Sequence, residues 1–165
     1  MKNITVRPAT NKDKAWIKDL MKREWGANII VSKGKVYEAE KLPGFIAELD
    51  GKPVGLITYH IKNRECEIIS LNSLKPRQGV GEALIKAVKT EAIKKRLIKI
   101  TAITTNDNLH ASGWYQKRGF VLTAVYPNAL AKSRKLKPQI PQVGINGIPL
   151  RDEIELELVL NNPFS

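Results

Sequence analysis

The chain has 165 residues, 42% of them hydrophobic and 27% charged, which is the size of one domain and too apolar for a disordered segment. No apolar run approaches the roughly 18 residues of a membrane helix, and a single cysteine, Cys66, excludes an internal disulfide, so a cytoplasmic address is expected. Twenty-eight Lys and Arg against 16 Asp and Glu give a net charge of +12, which favours anionic partners such as nucleotide phosphates, nucleic acid or acidic surfaces.

Ile4 and Val6 alternate with polar residues, predicting a first strand over residues 2–8. Thr10-Asn11-Lys12-Asp13 has the form of a capping box, and Trp16, Ile17, Leu20 and Met21 give a helical stripe that ends near Gly26. Residues 27–43 are ambiguous: Ile29-Ile30-Val31 fits a short strand and Lys33-Gly34-Lys35 a turn. Phe45–Leu49, the Asp50-Gly51 turn and Val54–Tyr59 make a hairpin, and Glu65–Leu74 a third adjoining strand.

The glycine-rich turn Arg77-Gln78-Gly79-Val80-Gly81-Glu82-Ala83 then opens into a helix over 80–96 with Leu84, Ile85, Val88 and Ala92 as its buried stripe. Such a turn presents backbone N–H groups at the positive end of a helix and suits a phosphate or pyrophosphate. Residues 75–99 carry eight Lys and Arg against Glu82 and Glu91, and Lys75 and Arg77 flank the turn itself. Residues 97–103 predict a buried strand, Asn106-Asp107-Asn108 a break, and a short helix runs to about Arg118. A strand over 119–126 follows, then an extended excursion over 127–150 with turns at Pro127, Pro138, Pro141, Gly144, Gly147 and Pro149. Ile154, Leu156, Leu158 and Leu160 alternate as a closing strand. The order β-α-β-β-β-α-β-α-β-β predicts a mixed sheet flanked by helices, in a single domain spanning 1–165. Strands parallel at its middle would place a ligand crevice at their carboxyl ends.

Two motifs resemble the GNAT N-acetyltransferases. The family's Q/R-x-x-G-x-G/A turn is similar to Pro76-Arg77-Gln78-Gly79-Val80-Gly81, with Pro76 standing where Gln or Arg is usual and Arg77 and Gln78 beside it. The family's Asn-x-x-Ala-x-x-x-Tyr-x-x-x-Gly-Phe is matched by Asn108, Ala111, Tyr115, Gly119 and Phe120. The phrases Thr104–Leu109 and Ile148–Glu153 look similar to an uncharacterised bacterial branch of that family.

The resemblance implies an α/β (α+β) fold: a mixed, mostly antiparallel sheet of six or seven strands, splayed at its central parallel pair, with three flanking helices. It also implies acetyl transfer from acetyl-CoA to a primary amine within a ternary complex. Backbone amides of Gln78, Gly79, Val80 and Gly81, with Arg77, Glu82 and Ala83 completing the loop, would hold the pyrophosphate. Leu71, Asn72 and Ser73 would pair with the pantetheine arm. Asn108 would cap its helix and bind the cofactor, and Tyr115 would protonate the departing thiolate. Glu67 is the expected general base, ahead of Glu65, Asp152 and Glu48.

Neither His60 nor His110 has a triad-like context, Cys66 reads as a buried strand residue, and no dedicated metal site is expected. Lys132, Arg134, Lys135 and Lys137 form a basic stretch of the excursion, expected to border the acceptor and to favour one that carries carboxylate or phosphate. The expected partner is a small-molecule or peptide amine, with no membrane and no specific nucleic acid, for a monomer or homodimer. Two alternatives are an acyl-CoA-binding sensor without turnover and a basic nucleic-acid-binding module, the latter lacking the interleaved aromatics of a strand platform.

Overall fold

The structure is a computed structural model that describes residues 3–160; the expected start of the first strand at Lys2 and the ends of the 1–165 span lie outside the described residues. Nine strands and four α-helices lie among the described residues: β1 (Ile4–Pro8), α1 (Lys14–Trp25), β2 (Ile29–Ser32), β3 (Lys35–Glu38), β4 (Gly44–Leu49), β5 (Lys52–Lys62), β6 (Glu65–Ser73), α2 (Val80–Lys94), β7 (Lys99–Thr105), α3 (Leu109–Gln116), β8 (Val121–Tyr126), α4 (Ala129–Leu136) and β9 (Glu153–Val159). Seven strands form one sheet in the order β1-β4-β5-β6-β7-β9-β8, antiparallel except where β6 meets β7. β2 and β3 form a separate two-stranded hairpin.

Side-chain alternation along the strands builds two cores, one on each face of the sheet. Ala47, Ile57 and Ile68 turn to the face covered by α2, where they meet Val80, Leu84 and Val88. Ile46, Leu56 and Ile69 turn to the opposite face and pack on Ile17, Leu20 and Met21 of α1. The Thr10 capping box forms as expected: its hydroxyl accepts from the Lys12 amide, and its own amide donates to Asp13 at 2.8 Å. Gly26, with φ 79°, closes α1 in the left-handed conformation that only glycine adopts without strain.

One ambiguity resolves and one expectation changes. The ambiguous segment after α1 is the β2–β3 hairpin, which lies over the α1 face of the sheet: Ser32 donates to Glu67, and Lys33 reaches Glu153 and Glu155. The excursion over 127–150 is not extended throughout, because it contains α4. Ala129-Leu130-Ala131-Lys132 are good helix formers, and burying Leu130 and Ser133 supplies the packing that a short helix needs. The flanking prolines concealed it.

Candidate active site

β6 and β7 pair only from Glu65–Ile68 to Lys99–Ala102, and beyond that point they part. A register shift in the β5–β6 ladder, between Thr58 and Tyr59, falls at the same level. Bulges bend a strand and interrupt its pairing. From Ile69 onward β6 therefore pairs with β5 alone, and the edge of Leu71–Ser73 that faces away from β5 has no strand beside it.

On the α2 face this divergence opens into a cleft of about 760 Å³. Its walls are Leu71 and Ser73 from β6, Lys75 to Arg77 and Gly79 to Glu82 from the glycine turn, and Asn108, His110, Ala111, Trp114, Tyr115 and Arg118 from α3 and its ends. Gly79 caps α2 with φ 81°, and Arg77 also lies in the left-handed region at 63°. The first intrahelical bond runs from the Ala83 amide to the Gly79 carbonyl at 3.0 Å. The amides of Val80, Gly81 and Glu82 precede it and have no intrahelical acceptor, so they and the helix dipole favour an anion.

Gln78 and Ala83 are absent from the cleft walls, and the Ala83 amide is occupied within the helix. The other expected cofactor contacts (Leu71, Ser73, Arg77, Gly79, Val80, Gly81, Glu82, Asn108 and Tyr115) all line it.

Asn108 caps α3, its side-chain oxygen accepting from the Ala111 amide at 3.0 Å. Tyr115 is 7% exposed, edge-on to Trp114 and Phe120 with ring centroids 5.2 and 5.1 Å away. Burial raises its pKa above the ordinary phenol value, so the phenol holds its proton at neutral pH.

The sequence reading overlooked Arg118 as a wall of the cleft. Its guanidinium stacks 3.9 Å from the Trp114 ring centroid, and the Arg118 Nε is buried with no partner among the described residues. The available signal was spacing, since Ala111, Trp114, Tyr115 and Arg118 recur at three and four residues along α3 and just past its end.

Glu67 stands elsewhere. It lines a second cavity, of about 250 Å³, between the β2–β3 hairpin and the sheet, together with Ser32, Lys33, Tyr37, His60 and Thr101. Cys66 and Ile68 on either side of it belong to the α2-face core, so alternation turns Glu67 to the other face. Burial pushes the Glu67 carboxyl above the usual range; the Ser32 hydroxyl, donating at 3.1 Å, and the Lys33 charge partly offset this.

The rivals to Glu67 are engaged in structural pairs. Glu65 faces Lys99 at 3.4 Å, Glu48 pairs with Arg7 at 3.0 Å, and Asp152 accepts from the Asn128 amide at 2.7 Å. Cys66 is 1% exposed and burial drives its thiol pKa up to about 12, so it is no nucleophile at neutral pH.

The basic stretch of the excursion is not a free rim. Lys137 is 6% exposed and donates to the carbonyls of Trp25 and Ile29 at 3.1 Å each, while Arg134 donates to those of Pro141 and Leu150. Both cations hold the chain together, and only Lys132 and Lys135 remain exposed.

Residues 12–120 match the acetyltransferase (GNAT) family. The chain belongs to that family. It is an acyl-CoA-dependent acyltransferase of the GNAT type, and its mostly antiparallel seven-stranded sheet is that of the family's fold. The chain is 41% identical over 159 residues to the uncharacterised protein YdhI of Bacillus subtilis (strain 168), covering 96% of this chain and 99% of that one. Among solved structures, an IAA acetyltransferase from Bacillus cereus superposes with a TM-score of 0.71 at 17% identity, over 96% of this chain and 100% of that one. A GNAT acetyltransferase from Elizabethkingia anophelis with acetyl-CoA bound gives 0.67 at 23% identity, over 96% and 99%. No helix among the described residues is long and apolar enough to cross a membrane.

Proposed function

We propose that the protein transfers the acetyl group of acetyl-CoA directly to a primary amine, with donor and acceptor entering from opposite faces of the sheet at the β6–β7 divergence. The observation that carries this is the pair of cavities on those two faces, one holding Tyr115 and the other Glu67.

The donor cleft suits a diphosphate with an extended arm. Three amides at the start of α2 lack intrahelical acceptors, Lys75 and Arg77 add charge, and the outer edge of Leu71–Ser73 has no neighbouring strand. Acetyl-CoA supplies an activated acyl carbon with a thiolate leaving group. Glu67 takes a proton from the acceptor ammonium or amine, directly or through water, and its raised pKa suits a base working near neutral pH. The amine nitrogen bonds to the acyl carbon, the carbon–sulfur bond breaks, Tyr115 gives its proton to the departing sulfur, and the excess proton left on nitrogen restores the phenol through solvent.

A thiol-release assay with acetyl-CoA and a panel of amines tests the reading. Calorimetry on Gly81→Glu tests the donor site independently, since a carboxylate at the second residue of α2 would fill and repel it. Donor binding that survives Gly81→Glu, or absence of thiol release with every amine, rejects the assignment; the latter would leave an acyl-CoA sensor.

A further inference from the structure

The cavity around Glu67 has two chemically distinct ends. Its inner end is polar and closed, with Ser32 and Thr101 each 5% exposed beside the Glu67 carboxylate. Its outer end carries Lys35, Lys62 and Glu65; Glu65 is held by Lys99 at 3.4 Å, and the exposed Lys35 and Lys62 have no carboxylate within ion-pair distance among the described residues. Lys33, the third lysine of the lining, is already engaged with Glu155 at 2.8 Å.

Strand register orders these groups along one line. His60 stands opposite Glu67, and Lys62 opposite Glu65, in the β5–β6 ladder. Cross-strand partners share a face, so Lys62 lies two residues along from Glu67, a distance of about 7 Å. Lys35 is contributed from above by the hairpin, where it pairs with Ser32. At about 250 Å³ the cavity is small for a ligand site.

We infer that the acceptor is a small amine carrying its own anionic group, with the nitrogen at Glu67 and the carboxylate or phosphate at Lys35 and Lys62. The inference rests on the acetyl-transfer reading and assigns its acceptor class. A carboxylate at the inner end attracts the ammonium and later receives its proton. Two unpaired lysines at the outer end fix the other terminus. Charge-assisted contacts of this kind give orientation as well as affinity. The assignment keeps the anionic acceptor suggested by the basic excursion but moves its anchor to the hairpin and β5, since Arg134 and Lys137 are committed elsewhere.

Matched amines with and without an anionic group test it: β-alanine and ethylamine, γ-aminobutyrate and propylamine, phosphoethanolamine and ethanolamine. With the full chain, the anionic member of at least one pair is expected to have a kcat/KM about tenfold above its counterpart. The carboxylate and phosphate arms identify which anion is preferred. In Lys35→Glu/Lys62→Glu the preference closes through KM, and calorimetric binding of the anionic amine to the CoA-saturated protein is lost. Lys62→Gln gives a partial loss, and a melting curve confirms that each variant is folded.

Equal turnover within all pairs, or a preference that survives the double charge reversal, overturns the acceptor class while leaving acetyl transfer standing. Failure to acetylate any amine despite calorimetric binding of acetyl-CoA overturns both.

Discussion

The Asp107 carboxylate accepts the backbone N–H of Ile145 at 2.8 Å, so the middle of the β8–β9 excursion is tied to the residue next to the α3 cap. Asp107 is 3% exposed and also accepts from the Thr105 hydroxyl. Asn106 adds a second tie, its oxygen accepting from the amides of Arg151 and Asp152 at 3.0 and 2.9 Å. The two phrases Thr104–Leu109 and Ile148–Glu153, joined by contacts 45 and 46 residues apart in the chain, are thus one piece of structure. Asp107→Ala removes a charge-assisted hydrogen bond to the Ile145 N–H, which costs about 1–3 kcal/mol. Urea denaturation should show that loss, and the KM for acetyl-CoA should rise because Asn108 loses its support.

Gly144 is fixed by the same contact. A β-carbon there would overlap the Asp107 carboxylate, so no side chain fits without displacing the excursion. Gly144→Ala is expected to destabilise by an amount similar to Asp107→Ala, and the two substitutions should be far from additive in a double-mutant cycle. Additive effects would mean that the excursion is held by other contacts.

Gly81 and Trp114 form a comparable pair in the donor cleft, where a β-carbon on Gly81 would lie 2.9 Å from Trp114 Cζ2. Gly81→Ala should push the indole into the cleft and weaken calorimetric binding of CoA. Trp114→Phe should restore binding in the Gly81→Ala background by making room. If it does not, the glycine acts through its backbone alone.

Tyr115→Phe removes one hydroxyl and keeps the ring packed between Trp114 and Phe120. If the phenol protonates the thiolate, kcat falls by about 100-fold or more, while melting temperature and CoA affinity change little. Single-turnover thiol release separates the two quantities.

Glu67 gives a pH signature. A base must be ionised to act, so activity is lost as pH falls through its pKa, which burial places above the usual carboxylate value. Ser32→Ala removes a hydrogen bond that favours the ionised form, so the acid limb of kcat/KM should move to higher pH. Glu67→Gln should remove that limb and lower kcat. An unmoved limb in Ser32→Ala would place the base elsewhere.

Arg7 and Asp13 supply a test of the fold itself, with their nearest atoms 2.8 Å apart. The guanidinium holds the Asp13 carboxyl at about 2, below its unfolded value. Its stabilisation is therefore present above the unfolded pKa and is lost as pH falls from about 4 to about 2. Arg7 is 38% exposed, so solvent screening limits the effect to about 1 kcal/mol. Arg7→Gln should lower the melting temperature at neutral pH by about 2–4 °C and flatten the acid dependence in that window.

Local signals in the sequence determined much of this protein. Thr10 to Asp13, the Gly26 stop and the Asp50-Gly51 turn act within a few residues, so their chemistry is written where it operates. The glycine turn and the Asn108–Tyr115 spacing likewise named one wall of the cleft each, because cap and helix period are properties of consecutive residues. The tertiary structure alone decided which groups meet. Period-two alternation turned Glu67 away from Cys66, but only the β2–β3 hairpin closing over that face made it a half-buried carboxylate with Ser32 as donor. Arg134 and Lys137 read as surface charges in the chain, yet both spend them on backbone carbonyls. Charge and spacing are recorded residue by residue, whereas burial and partnership depend on segments more than 100 residues apart, as Lys137 and Ile29 are.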